Sequence, residues 1–155
     1  SALGTLVLPV DPAHWPPPTT PIELDAAPFV PKHELHVTLV GRALGAEVLD
    51  AIAAGRIDGR ELREAFVAQR WRMRRSGWHL RLRRPAPDDA IESVIELVAL
   101  PAMARFHAWL GSALGRSLPV PPPHVTVHVR GDPDGIGVAD AAALAQLRVG
   151  PAWRA

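Results

Sequence analysis

Two stretches of this chain repeat one pattern, His36-Val37-Thr38-Leu39 and His124-Val125-Thr126-Val127. With 7 histidines in 155 residues, a His-x-Thr triplet arises by chance only roughly 0.2 times per chain of this composition. Its doubling, with apolar residues at both intervening positions, is therefore a signal. On a strand, an imidazole and a hydroxyl two residues apart share one face, while the valines and the leucine take the other. A cleft between two such strands holds two imidazoles and two hydroxyls, a set suited to a phosphodiester. One neutral imidazole takes a proton from water or a ribose hydroxyl, and the other, protonated, gives one to the departing oxygen. The hydroxyls of Thr38 and Thr126 can donate to non-bridging phosphate oxygens, where charge builds. Because an ordinary imidazole titrates near 6.5, both protonation forms coexist close to neutral pH and no metal ion is required. A bell-shaped pH profile is expected.

Continued alternation along the second strand puts His128 and Arg130 on the face of His124 and Thr126. Three histidines invite a metal reading, but no Asp or Glu closely flanks either triplet's polar face, so His128 is expected beside the site or at its rim. Arg130, and Arg42 just after the first triplet, are candidates for the cleft mouth. Trp15 is a candidate for stacking on a base, against the commoner role of a buried anchor. His14, His33, His79 and His107 are expected to be solvated or structurally bonded, His107 above all because it falls in an apolar helix.

The elements that must position these groups are legible as patterns. "GTLVLPV" (4–10) reads as a first strand, 11–32 as a long proline-broken loop, and "ELHVTLV" (34–40) as the first triplet's strand. Helical spacing follows over 46–54 and 59–69, as two helices or one broken at Gly55. "RWRMRRSGWHLRLRRP" alternates on both sides of Ser76-Gly77 and reads as a hairpin whose arginine face is either a track for an RNA backbone or a charged, solvated sheet face. "IESVIELVAL" (91–100) reads as a strand, although its spacing also suits a helix. Pro101 opens a helix to Leu114, ended by Gly115. Behind "PPP" comes the second triplet's strand, then "GDPDGIG" as a turn, a short helix near 139–146 and a strand around 147–149. "GDPDGIG" lacks the lysine and Ser/Thr of a phosphate loop and the terminal Glu of a calcium loop. The irregular order of strands and helices predicts an α+β domain with antiparallel pairing.

The two triplets, preceded by "FVPKHEL" in the first copy and "PPP" in the second, resemble the two-histidine (2H) phosphoesterase superfamily, including the LigT-like RNA 2′,3′-cyclic phosphodiesterases. The order of elements is similar along most of the chain. The resemblance implies a bilobal, pseudo-symmetric α+β fold with antiparallel sheets flanking a central cleft and helices outside. It implies hydrolysis of 2′,3′-cyclic phosphate ends of RNA or nucleotides to the 2′-phosphate, without a cofactor. His36 and His124 take the family's catalytic positions, and Thr38 and Thr126 its phosphate-binding ones. The chain has no tyrosine, so a family tyrosine that contacts substrate has no counterpart. Relatives acting on 2′-5′ linkages, ligase-like or polyphosphate-directed relatives, and a module that binds an RNA end without turnover are the alternatives.

Bulk properties set the frame. The 155 residues suit one domain (1–155) with a buried core. The absence of cysteine excludes thiol nucleophiles, zinc knuckles and disulfides. A net charge of +1 predicts no broad nucleic-acid-coating field. No stretch nears the roughly 18 to 20 continuous apolar residues of a membrane span, and the first residues lack a secretory pattern. A monomer acting in the cytoplasm is expected.

Overall fold

The computed structural model describes residues 4–154. Its elements run β1 (Leu6–Pro9), β2 (Ile22–Leu24), β3 (Ala27–Pro31), β4 (His36–Val40), α1 (Arg42–Ala53), α2 (Gly59–Ala68), β5 (Arg74–Pro85), β6 (Ala90–Ala99), α3 (Pro101–Leu114), β7 (His124–Arg130), α4 (Ala141–Leu147) and β8 (Arg148–Arg154). The strands link in the order β1-β4-β7-β6-β5-β8, with β3 joining the far end of β7 and carrying β2. Pairings among the described residues are antiparallel, so the α+β class with antiparallel strands is observed. No helix of the described residues is long and apolar enough to cross a membrane.

The two triplets meet at the junction of β4 and β7. Val37 lies opposite Val125 in an antiparallel pair, and such a pair has a local twofold axis through its midpoint. That axis exchanges one His-x-Thr with the other. The paired valines are 1% and 0% exposed and anchor a core with Trp15, Phe29, Leu35, Leu39 and Met103. Burial of that valine face is what turns all four polar groups the other way. A second core packs Val40 with α1 and α3 through Val48, Ala51, Phe106 and Leu110, and a third sets Leu80, Leu82 and Ile95 against Ile136 and Val138.

Three local features depart from simple periodicity. First, β7 carries a bulge: Thr126 pairs with Ile95 and His128 with Val94, leaving Val127 as an extra residue. A bulge reverses alternation beyond it, and Val127, His128 and Val129 are buried in succession. Second, Ser76-Gly77 is not a hairpin turn. Residues 74–85 form one strand whose register with β6 shifts between Arg75 and His79, and Gly77 takes the left-handed backbone, φ +74°, that this bulge needs. The hairpin is made by β5 and β6, and Ala86 N–H donates to the Asp89 carbonyl across its turn. Third, the expected loop over 11–32 contains the β2–β3 hairpin, turned by Asp25 and Ala26 at φ 51° and 61°. That turn type normally advertises itself by Asn-Gly or Asp-Gly; here the sequence is Asp-Ala. The 46–54 and 59–69 segments are separate helices, 91–100 is a strand, and Gly115 ends α3.

Candidate functional site

His36, Thr38, His124 and Thr126 line one cavity of about 450 Å³. Each is half-buried, and the Val37, Leu39, Val125 and Val127 side chains that alternate with them are buried. The triplets thus meet across the twofold axis on the open face of the β4–β7 junction. His124 Nδ1 lies 2.9 Å from the Pro122 carbonyl. A carbonyl oxygen only accepts, so Nδ1 carries the hydrogen, and Nε2 is left to exchange protons with whatever the cavity holds. The proline run thus fixes the tautomer of the ring that follows it.

Both imidazoles are held below the ordinary range. For His124 the main cause is burial, which disfavours the cation; the nearby His36 adds to this and the bond to the Pro122 carbonyl opposes it. For His36 burial comes first, then the Lys32 ammonium, with Glu34 opposing. The two rings therefore rest neutral near pH 7, and protonating one makes protonating the other harder.

The surroundings hold this pair in place. His107, 1% exposed on α3, has Nε2 at 2.7 Å from the Leu39 carbonyl and so donates to the backbone one residue beyond Thr38. Burial lowers its pKa. It is the structurally bonded histidine its helix predicts, although its ring also forms cavity wall. The segment 131–140 folds over the other triplet. A Cβ placed on Gly135, at φ +78°, would stand 3.3 Å from Thr126 Cγ2, so glycine is what lets the chain pass there. Lys32 ties this segment down: its Nζ donates to the Pro133 carbonyl at 2.7 Å, and its backbone N–H donates to the Val127 carbonyl.

Arg42 lines the cavity as the sequence suggests; so do Lys32, Glu47, Arg116 and Asp134, which periodicity does not single out. Lys32 stands in the quoted "FVPKHEL", four residues before His36, and that proximity was its one signal. Glu47 and Arg116 have none. Arg116 Nε donates to Glu47 Oε1 at 3.0 Å, and its NH2 to Oε2, across 69 residues of sequence. "GDPDGIG" is more than a turn, since Asp134 and residues 136–139 form cavity wall.

Three candidates lie elsewhere. His128 is turned away by the bulge onto the Val94 side of the sheet, where Nε2 lies 3.1 Å from the Thr20 carbonyl. Arg130 follows it, opposite Glu92, and its guanidinium meets Glu92 at 3.0 Å and Asp89 at 2.8 Å. Trp15 is 5% exposed in the first core, with the Arg75 guanidinium 4.0 Å from its ring centroid. It is the buried anchor, not a stacking platform. The arginines of β5 divide: Arg75 pairs with Glu96 at 2.7 Å and Arg81 with Glu92 at 2.8 Å, both carboxylates being buried, while Arg74, Arg83 and Arg84 are exposed as in a solvated sheet face. His79 stands 3.3 Å from Glu96 and stacks on Trp153. Compared with known proteins, the chain matches no protein-family model, no curated protein and no solved structure.

Proposed function

We propose that this chain is a metal-independent phosphoesterase of the two-histidine kind, which hydrolyses 2′,3′-cyclic phosphate ends of RNA or nucleotides to the 2′-phosphate. The observation that carries the reading is the pair of His-x-Thr triplets related by a local twofold in one cavity. The same axis supports the pseudo-symmetric, two-lobed fold that the resemblance implies. In the reaction a water oxygen bonds to phosphorus as one neutral imidazole takes its proton. The bond from phosphorus to the 3′ oxygen breaks, and that oxygen leaves with the proton of the other imidazole. Thr38 and Thr126 donate to the two non-bridging oxygens while charge accumulates on them. The choice of the 2′ product rests on the family resemblance.

The test offers chelator-treated protein three substrates: 2′,3′-cyclic nucleotides, short RNAs ending in a cyclic phosphate, and 2′-5′-linked dinucleotides. Hydrolysis of a cyclic phosphate is expected, with kcat/KM reduced by roughly a hundredfold or more in His36→Ala and in His124→Ala. Equal turnover by wild type and both variants would remove the histidine pair from the mechanism. Binding of these ligands without turnover would instead make the cleft a recognition module, and exclusive use of the 2′-5′ dinucleotides would move the reading to that linkage.

A further inference from the structure

We infer that the cleft takes one small cyclic phosphate, a 2′,3′-cyclic mononucleotide, in preference to the end of an RNA chain. This rests on the phosphoesterase reading of the same four residues and narrows its substrate. At about 450 Å³ the cavity is at the small end of the roughly 300–1,000 Å³ typical of ligand pockets. Beyond the histidines and threonines its wall is largely aliphatic, built from Leu44, Leu118, Pro119, Pro121, Ile136 and Val138, a surface for one nucleoside face. The Glu47–Arg116 ion pair bridges two of its walls, one from α1 and the other from the segment after α3.

Charge points the same way. Lys32, Arg42 and Arg116 face Glu47 and Asp134 around the cavity; Arg116 is neutralised by Glu47, and the remainder leaves one positive charge in excess. That balances the single negative charge of a cyclic phosphodiester and leaves nothing for a second phosphate. A chain-binding groove needs a run of free cations along the backbone and Phe, Tyr or Trp rings on which successive bases stack. Among the described residues neither Phe nor Trp lines this cavity. Four tryptophans pack elsewhere, Trp15 under Arg75, Trp71 and Trp109 against Phe106, and Trp153 on His79. The exposed Trp78 lies on β5 beneath Arg154. Of the arginines on β5, Arg75 and Arg81 are held by Glu96 and Glu92 on the far side of the sheet, where Glu92 also holds Arg130 of β7.

Binding and turnover are to be measured separately. Calorimetry on the His36→Ala, His124→Ala double variant compares adenosine 2′,3′-cyclic phosphate with a short RNA ending in the same group. The mononucleotide is expected to bind at least about tenfold more tightly, and removing the bridge by Glu47→Ala with Arg116→Ala is expected to narrow that ratio. RNA binding as tight as the mononucleotide's, a ratio unchanged by loss of the bridge, or binding of neither ligand would overturn the inference. Wild-type turnover is the independent readout. Preferential mononucleotide binding without hydrolysis sinks the phosphoesterase reading and leaves the size limit standing, whereas hydrolysis with equal RNA binding does the reverse.

Discussion

The two faces of the central sheet carry similar side chains and put them to opposite use. On the cleft face His36, Thr38, His124 and Thr126 open into a cavity. On the far face Arg75, His79, Arg81 and Arg130 meet the buried carboxylates of Glu92 and Glu96, with Asp25 and Asp89 closing the outer ends. Basic groups whose partners are inside the protein have little left for a ligand; imidazoles kept neutral by burial, with a ring nitrogen toward open space, do. What separates site from scaffold here is therefore saturation, not residue type, and a single bulge at Val127 decides which face each half of β7 serves.

Breaking the saturated face should cost stability and spare chemistry. Glu92→Ala leaves Arg81 and Arg130 without their shared buried partner and is expected to destabilise by about 3 kcal/mol, lowering Tm by roughly 6–12 °C, with kcat/KM of the folded protein unchanged. A loss of activity at full stability would erase the distinction between the faces. The open face should answer to pH instead. Since both imidazoles are held below their ordinary range, the protonated acid is lost as pH rises through values under about 6.5, so the optimum of kcat/KM should lie on the acid side of neutrality. Stability should move the opposite way. The unfolded chain takes up protons at His36, His107 and His124 near the ordinary value, whereas the folded protein does so only at lower pH. Stability is then full above that ordinary value and falls with acidification through the window beneath it; urea midpoints across pH 5 to 8 would show the trend. Thr126→Val, isosteric but unable to donate, is expected to reduce kcat by about tenfold with little change in Tm. The smallest effect sharpens the comparison most: Arg130→Ala should lower stability by about 1 kcal/mol and leave KM alone, while Arg42→Ala should raise KM and leave stability alone. A reversed pattern would put Arg130 in the site.

The four central residues were legible because periodicity, face and chemistry agree at each of them. Val37 and Val125 had to be buried, and that fixed His36, Thr38, His124 and Thr126 on the other side. The same rule misplaced His128 and Arg130, since period two holds only while the ladder is regular, and no residue type around Val127 marks the bulge. Arg74–Pro85 misled for a related reason: Ser-Gly is turn chemistry, yet the chain used it to widen a strand. The β2–β3 hairpin was hidden because Ala26, after a turn-compatible Asp25, takes the left-handed backbone at which glycine is expected. Lys32, Glu47, Arg116 and Asp134 reach the cavity through tertiary approach, and only Lys32, by its nearness to the first triplet, left a trace in the local sequence.

The local twofold between Val37 and Val125 poses a problem of handedness for any ligand at its centre. A five-membered cyclic phosphate has two ring oxygens, much as the site has two imidazoles and two hydroxyls, so a perfectly symmetric cleft would accept it in either sense and expel either oxygen. Regioselectivity must then come from whatever breaks the symmetry. The structure holds such groups close by: Lys32 beside His36 and tied to Pro133, the Pro122 carbonyl fixing the ring of His124, and Gly135 pressed against Thr126 alone. In the proposed reaction these neighbours would decide which bond breaks, and the doubled motif itself is silent on it.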